Sequence, residues 1–414
     1  MTRFVLVGGG VASAATAAGL REAGFDGEIV LVSDESHLPY ERPPLSKEFL
    51  TGTFAHTDFR VNQESWYADN AIELELGTRA TDLDPVARRV SLSEGRSLTY
   101  DALVLATGVR ARTLPGFDGE RVHFLRTIAD AERLGQRLAP GRHLAILGAG
   151  FIGCEVAAVA VARGLRVTVF DPGPVPLGRA LGAEIGGAMG GIHTERGVEI
   201  RTGEVVSAMT ETASGVQLRT SSGKLFECDD LLVGIGSIPN SEIAAQAGID
   251  VDGGILTDEY GRTSVPHVHA IGDVASRFHP VHGRRLRVEH HEVAMRHGAN
   301  TARNLLGASE PFAEEHFFWS HQYEHNLQSV GHFAGGGTRV IRGSIEERSF
   351  SVFSLENGRI RSVVALDRPL DVLHTRKLLA VPHEVTAEQL ADKGFPLKSL
   401  LPRKAGARRS EART

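Results

Sequence analysis

The sequence predicts an α/β protein: two Rossmann-like dinucleotide-binding domains, the first interrupted by the second, then a C-terminal α+β domain with an antiparallel sheet. Three observations predict it. A short apolar strand runs into a glycine-rich turn and a helix twice, at Phe4–Ala17 and at Leu144–Glu155. Beyond the second unit the chain returns to the first domain through Thr257–Val274. From about residue 322 the pattern changes to short alternating strands.

A chain of 414 residues exceeds what one hydrophobic core fills, so two or three domains are expected. Hydrophobic residues at 42% and charged residues at 23% fit an ordinary globular protein. The formal charge of −6 argues against nucleic acid as the main partner. No apolar run approaches the ~18–20 residues that cross a bilayer, so no membrane partner is expected. Arg3–Gly10 already reads as folded-domain sequence with no secretory leader before it, so a cytoplasmic location is expected. The cysteines, Cys154 and Cys228, form no C-x-x-C, and redox-active disulfide chemistry has no sequence support.

In the first unit, the strand Phe4–Val7 leads into Gly8-Gly9-Gly10-Val11-Ala12-Ser13, with a small serine at the third fingerprint position. A helix over Ala14–Ala23 and a strand over Ile29–Val32 follow, ending in Asp34-Glu35. An acidic side chain there, ~20 or more residues past the glycines, is where a ribose hydroxyl is held. An empty βαβ unit would carry similar glycines. In Tyr40–Lys47, Pro43-Pro44 are expected to hold an extended backbone and Ser46 to cap the next helix. Arg42 and Lys47 are cations placed for a pyrophosphate, or for a solvated loop. Strands are expected near Ile72–Leu76, Arg89–Leu92 and Ser97–Tyr100, and Ala102–Leu105 runs into Ala106-Thr107-Gly108.

The second unit is prefaced by a helix from Arg126-Thr127 to about Leu138. Gly148 makes its tight turn, Gly150 lets the backbone approach a pyrophosphate, and Gly153 permits close helix–strand packing. A helix opened by Glu155 offers free N–H groups and partial positive charge to the phosphates. The strand Arg166–Phe170 ends in Asp171, which would accept from the ribose 2′-hydroxyl of NADH and repel the 2′-phosphate of NADPH. Arg179, folded back, would soften that preference. The unit finishes with Asp230–Val233 and Gly234–Asn240, and the chain then delivers Gly272-Asp273 at an expected helix start, suited to a ribityl hydroxyl. Strands are expected over Asn326–Phe333, Arg339–Ser344, Ser349–Leu355 and Ile360–Ala365, with Asn357-Gly358 as a two-residue hairpin turn. Arg403–Thr414 reads as a basic tail. Two dinucleotide units in one chain point to a two-cofactor oxidoreductase.

The motifs VLVGGGVA, PYERPPLSK, LVLATG, LRTIADAE, ILGAGFIGCEVAA, GIGSIPN, TSVPHVHAIGDVA and FFWSHQY follow in this order. Together they resemble the FAD- and NADH-dependent ferredoxin reductases of oxygenase systems, the group of putidaredoxin and rubredoxin reductases. The resemblance implies an FAD domain of residues 1–110 and 245–320, an NAD domain of 111–244, an α+β domain of 321–402 and a tail of 403–414. It implies FAD and NAD as cofactors, and hydride transfer from NADH to FAD followed by single-electron release to an iron–sulfur ferredoxin serving a monooxygenase or dioxygenase. The protein would be a monomer or homodimer. By resemblance, Ala12, Asp34, Arg42, Lys47, Ala80, Arg126, Asp273 and His291 fall on flavin-nucleotide contacts. Lys47 and Glu155 match a catalytic pair beside the flavin ring, and Trp319 an aromatic that limits solvent access. Cofactor contacts are also expected at Gly8, Gly10, Glu35, Thr107, Gly108, Gly148, Gly150, Ile152, Gly153, Asp171 and Gly236.

Two departures stand out. The group's Trp-Ser-Asp-Gln reads Trp319-Ser320-His321-Gln322, and Glu289-His290-His291 is closer to apoptosis-inducing-factor-like flavoproteins. His321 beside the flavin would raise its potential relative to aspartate; otherwise both changes are tolerated hydrogen-bond substitutions. The dense histidines His267, His269, His279, His282, His290, His291 and His297 lack a cysteine or carboxylate pattern, so no metal site is expected. The basic Arg284-Arg285-Leu286-Arg287 is either a ferredoxin dock or a solvated loop. Two rivals remain open. A disulfide or peroxide reductase needs a cysteine near the flavin, and Pro39–Lys47 has none. An NADH-sensing flavoprotein would act through a conformational or dimerisation change, and turnover separates it from a reductase.

Overall fold

The apolar run Arg3–Val7 lies at the centre of a five-stranded sheet because its neighbours on both sides are equally apolar and buried on both faces. In the computed structural model, which describes residues 1–333 and 336–402, it pairs in parallel with Glu28–Ser33 and Ala102–Leu105. Ile72–Leu76 and Val268–Ala270 complete the sheet. A strand from beyond the second nucleotide unit thus closes the first sheet, as the return through Thr257–Val274 predicts. The predicted basic tail 403–414 lies outside the described residues.

The second sheet is also parallel, in the order Val198–Thr202, Arg166–Asp171, His143–Leu147, Asp230–Val233, Val122–His123. Each parallel sheet is accompanied by a three-stranded antiparallel sheet: Ala80–Asp84, Arg89–Leu92 and Ser97–Thr99 in one case, Val206–Glu211, Val216–Thr220 and Leu225–Cys228 in the other. The outgoing and returning chains meet as an antiparallel pair, Val109–Ala111 with Ser237–Pro239. Asn240 locks that crossing, donating from Nδ2 to the Thr107 carbonyl at 2.9 Å while Thr107 Oγ1 donates to the Asn240 carbonyl at 2.7 Å.

Local chemistry explains most element boundaries. Thr127 caps the helix Ile128–Gly135 through a reciprocal box with Asp130, so the helix starts where expected and ends before Leu138. Helix Val11–Glu22 packs on His291–Leu305 closely enough that a Cβ on Gly298 would lie 2.3 Å from the Ala12 carbonyl oxygen. Three expectations need correction. Pro43-Pro44 open a 3-10 turn, Pro43–Ser46, rather than an extended stretch, because their fixed φ suits either conformation. Gly272-Asp273 likewise begins a 3-10 turn and not an α-helix, which starts only at His291. Glu155 does not open its helix, which runs Phe151–Ala162; it sits one turn in.

Met1–Tyr323 form one compact unit, and a second begins at Glu324. In the second, His325–Gly331, Arg359–Leu366, Ser349–Glu356 and Thr338–Ser344 form antiparallel pairs in that order. Asn357 and Gly358 turn the hairpin with φ of 51° and 73°, the left-handed pair that a two-residue turn matched to strand twist requires. Buried Arg342 donates to the carbonyls of Lys393 (3.0 Å) and Phe395 (2.9 Å), tying the segment after helix Ala387–Ala391 to this sheet.

Candidate functional site

The first glycine-rich turn opens the main cavity of the described residues, of about 860 Å³. Gly8 has φ +129°, and a Cβ there would lie 2.1 Å from the Ala106 carbonyl oxygen, so only glycine brings the two strand ends this close. A Cβ on Gly10, by contrast, would meet nothing within 4 Å. The amino end of helix Val11–Glu22 therefore faces open space, where its free N–H groups suit a diphosphate.

Charges from distant parts of the chain line this cavity. Glu35 accepts from Arg42 Nη2 at 2.8 Å and from the Tyr40 hydroxyl at 2.5 Å. Arg42 also donates to the Arg126 carbonyl at 2.6 Å, and Arg126 Nη2 donates to Asp273 Oδ2 at 2.9 Å. Burial, reinforced by the neighbouring Arg42, lowers the proton affinity of Arg126. Asp34 lines the cavity more peripherally, about half exposed and paired with Arg79 at 2.9 Å. Ala12, Ala80, Thr107 and Gly108 supply walls without charge.

The other end of the cavity carries Lys47, Ile152, Glu155, His291 and Trp319. Lys47 Nζ donates to Glu155 Oε2 at 3.0 Å, with both side chains largely buried (12% and 5% exposed). The residues predicted as a catalytic pair, 108 positions apart, thus meet in the cavity wall. His291 stands edge-on to Trp319 with ring centroids 5.8 Å apart, and its Nε2 lies 3.9 Å from Glu41. Its neighbour His290 is also in the wall, and burial lowers its pKa to about 4.

The remaining predicted contacts, Gly148, Gly150, Gly153, Asp171 and Gly236, do not line this cavity. They gather at the carboxyl end of the second parallel sheet, the expected place for a second nucleotide. A Cβ on Gly153 would lie 2.0 Å from the Gly148 carbonyl oxygen, whereas one on Gly150 would meet nothing. Asp171 Oδ2 accepts from the Ala149 N–H and Oδ1 from the Gly173 N–H, both at 2.7 Å. The carboxylate expected for a ribose therefore also ties the two loops of its own site together. Arg179 is exposed, on the short helix Gly178–Leu181.

Other expectations are corrected here. His321 is exposed and does not line the cavity, although Trp319, two residues earlier on the same face of strand Phe317–Gln322, does; Ser320 and Gln322 on the opposite face are buried. Ser46 caps no helix; its hydroxyl donates to Glu155 Oε2. Of the basic segment, Arg285 donates to the Thr257 and Ser276 carbonyls at 2.6 and 3.1 Å. Arg287 donates to Glu289 at 2.5 Å, so both arginines tie the segment to its surroundings, while Arg284 and Arg285 are exposed. Sequence reasoning missed Ser46, Phe151, Glu289, His290, Phe318 and Ser320. For Ser320 the period-two alternation through Phe317–Gln322 was the available signal.

Two cofactors are implied, and the residues fit FAD in the first site. The cavity has the size of a dinucleotide site, its glycine turn is open, its wall carries charged and aromatic side chains, and buried Arg126 Nε and His290 Nδ1 have no hydrogen-bond partner in the protein. Both cysteines are buried, free and absent from the cavity wall. Burial drives the Cys154 thiol well above its ordinary range and Cys228 up to about 12, so neither is a reactive thiolate.

Residues 2–298 match the family described as pyridine nucleotide-disulphide oxidoreductase. The chain belongs to that family. Residues 317–401 match a second family description, reductase C-terminal. Among curated relatives, the chain is 41% identical over 401 residues to the ferredoxin–NAD(+) reductase component of an anthranilate 1,2-dioxygenase system from Burkholderia cepacia, covering 96% of this chain and 99% of that protein. It is 39% identical to rhodocoxin reductase from Rhodococcus erythropolis, covering 99% and 96%. Among solved structures it resembles the reductase of a covalent putidaredoxin reductase–putidaredoxin complex with a TM-score of 0.93, at 34% identity and 96% and 98% coverage. This member of the disulphide oxidoreductase family has neither of its two cysteines in the cavity wall. No helix among the described residues is long and apolar enough to cross a membrane.

Proposed function

We propose that the protein is an FAD-dependent NADH:ferredoxin oxidoreductase, the electron-supplying component of an oxygenase system. The observation that carries this reading is the Lys47–Glu155 pair, placed with Trp319 in the wall of the thiol-free cavity that begins at Gly8. When bound, FAD supplies the chemistry that turns one hydride from NADH into two single electrons for an iron–sulfur ferredoxin. The chain's own residues bind, orient and shield. The N–H groups at Gly10–Ala12 would take the diphosphate, and Asp273, steadied by Arg126, a ribityl hydroxyl. Lys47 would offer its ammonium to the reduced flavin from the cavity wall, and Glu155 fixes that ammonium in place. Trp319 and Phe318 restrict water. Gly148–Gly153 would take the NADH diphosphate, and Asp171 its adenosine ribose.

We assign residues 1–110 and 245–320 to the FAD domain, 111–244 to the NAD domain and 321–402 to the C-terminal domain. A cytoplasmic location is in keeping with two reduced, buried cysteines and with NADH as donor. The test is anaerobic titration of the yellow holoprotein with NADH, then reduction of a ferredoxin panel coupled to cytochrome c. Rapid bleaching and ferredoxin-dependent turnover are expected. A folded preparation that takes up no FAD overturns the reading; flavin that bleaches but passes no electrons to any ferredoxin points to the sensor.

A further inference from the structure

Glu155 is 5% exposed, and its two oxygens are served from different directions. Oε2 accepts from Lys47 Nζ and from the Ser46 hydroxyl. Oε1 accepts from Ser320 Oγ at 2.6 Å. Behind Ser320 a chain of buried side chains continues. Gln322 Nε2 lies 3.0 Å from Ser320 Oγ, Gln322 Oε1 lies 2.8 Å from His193 Nε2, and His193 Nδ1 lies 2.9 Å from the Tyr323 hydroxyl. Ser320, Gln322 and His193 are each 1% exposed.

The chemistry of each group fixes the direction of every bond. A carboxylate only accepts, so Ser320 spends its proton on Glu155 and must accept from Gln322. The Gln322 amide nitrogen therefore faces Ser320, and its oxygen faces His193. His193 then carries its proton on Nε2 and accepts at Nδ1 from the Tyr323 O–H. Burial lowers the proton affinity of His193, which favours the neutral imidazole that this pattern uses. Every donor in the chain points towards Glu155.

We propose that Ser320, Gln322 and His193 are positioning residues that hold the Glu155 carboxylate, and through it the Lys47 ammonium, at the cavity wall. This rests on the reductase reading, in which Lys47 works beside the flavin. Ser320 supplies the bond to Oε1. Gln322 orients the Ser320 hydroxyl, and His193, on helix Ala183–Glu195, fixes which way the Gln322 amide points. A helix of the second nucleotide unit is thereby wired to a lysine of the first. With Ser320 silent, Glu155 keeps a buried, unserved oxygen and its grip on Lys47 loosens.

The first test is histidine-side-chain nitrogen NMR of the protein, with the His193 signal assigned by its loss in His193→Phe. An Nε2–H tautomer that persists to low pH, and is lost in Gln322→Leu, supports the chain; an Nδ1–H tautomer, or one unmoved by Gln322→Leu, overturns it. The second is stopped-flow reduction of the bound flavin by NADH. Ser320→Ala and Gln322→Leu should each slow it about tenfold at unchanged NADH affinity, with Ser320→Thr near wild type. In a Glu155→Gln background, Ser320→Ala should add little further loss. Wild-type rates in Ser320→Ala, or equal loss in Ser320→Thr, overturn the positioning role. The tautomer is also read in the wild type alone, with the ring nitrogens assigned by through-bond correlation to the His193 backbone: Nε2–H supports the chain and Nδ1–H overturns it, whether or not a variant folds. Failure to take up FAD would sink the reductase reading without touching the tautomer result.

Discussion

Arg126 donates to Asp273 across 2.9 Å, although 147 positions separate the two residues. The pair joins the segment that leaves the first sheet to the segment that re-enters it, and it sits in the cavity wall beside Arg42. Asp273→Ala leaves two guanidinium groups facing each other with one fewer carboxylate. The apoprotein should lose about 1–3 kcal/mol, the cost of stranding a charged, partly buried donor. Urea unfolding followed by tryptophan fluorescence measures this; an unchanged midpoint would show that the pair carries no stability.

Asp171 ties the Ala149 and Gly173 loops together and, on the proposed reading, also meets the nucleotide ribose, which predicts a compound phenotype. Asp171→Ala removes repulsion of a 2′-phosphate, so the NADH-over-NADPH ratio of kcat/KM should fall at least about tenfold. It also frees the Ala149 and Gly173 N–H groups, so KM for NADH should rise as well. Asp171→Asn keeps one acceptor oxygen and should recover part of the NADH affinity without restoring discrimination. Steady-state kinetics with both nucleotides decide it; better use of NADPH than NADH by the wild type would refute the assignment.

Arg285 and Arg287 serve as structural ties, to two carbonyls and to Glu289, so their charge reversal is expected to act through stability rather than docking. Arg285→Glu should lower the thermal midpoint by a few degrees, as expected for the loss of two hydrogen bonds to carbonyls. The salt dependence of ferredoxin reduction should stay as in the wild type. A flattened salt dependence at full stability would restore the segment as a docking site.

His321 is exposed and lies outside the cavity wall. His321→Asp should therefore leave the flavin midpoint potential unchanged at pH 6 and pH 8. Superimposable redox titrations are expected, and a lowered potential in the aspartate variant would reverse that conclusion.

Acid sensitivity should come from buried histidines. His297 Nδ1 accepts from the Gly272 N–H, which requires an unprotonated nitrogen, and burial holds its pKa well below the ordinary value. Burial also lowers His269 and His290 to about 4. Folded pKa values below unfolded ones mean that the unfolded chain binds more protons in this window. Stability is then full above about pH 6.5 and falls as pH drops towards 4, with a slope of up to ~1.4 kcal/mol per pH unit for each histidine. His297→Asn, which keeps an acceptor near Gly272, should flatten that slope. Urea midpoints across pH 4–7 provide the measurement.

The sequence by itself determined the architecture and the chemical inventory. Glycines at turns that tolerate no Cβ, apolar runs of strand length, and Asn357-Gly358 at a hairpin are local requirements, and local requirements are written residue by residue. Even the Lys47–Glu155 pair was legible, through family resemblance. What only the tertiary structure decided is who serves whom. Ser46 was free to cap a helix by its position, yet its hydroxyl goes to Glu155, 109 positions away. Arg285 and Arg287 read as a plain basic run, yet Arg285 bonds the Thr257 and Ser276 carbonyls and Arg287 bonds Glu289. His321 and Ser320 are adjacent in the chain, and the pleat of one strand sends the first to solvent and the second to the buried carboxylate. Hydrogen bonds and burial depend on distances across the fold, and a strand's register against its neighbours, which sets its inward face, is fixed only when the whole core packs.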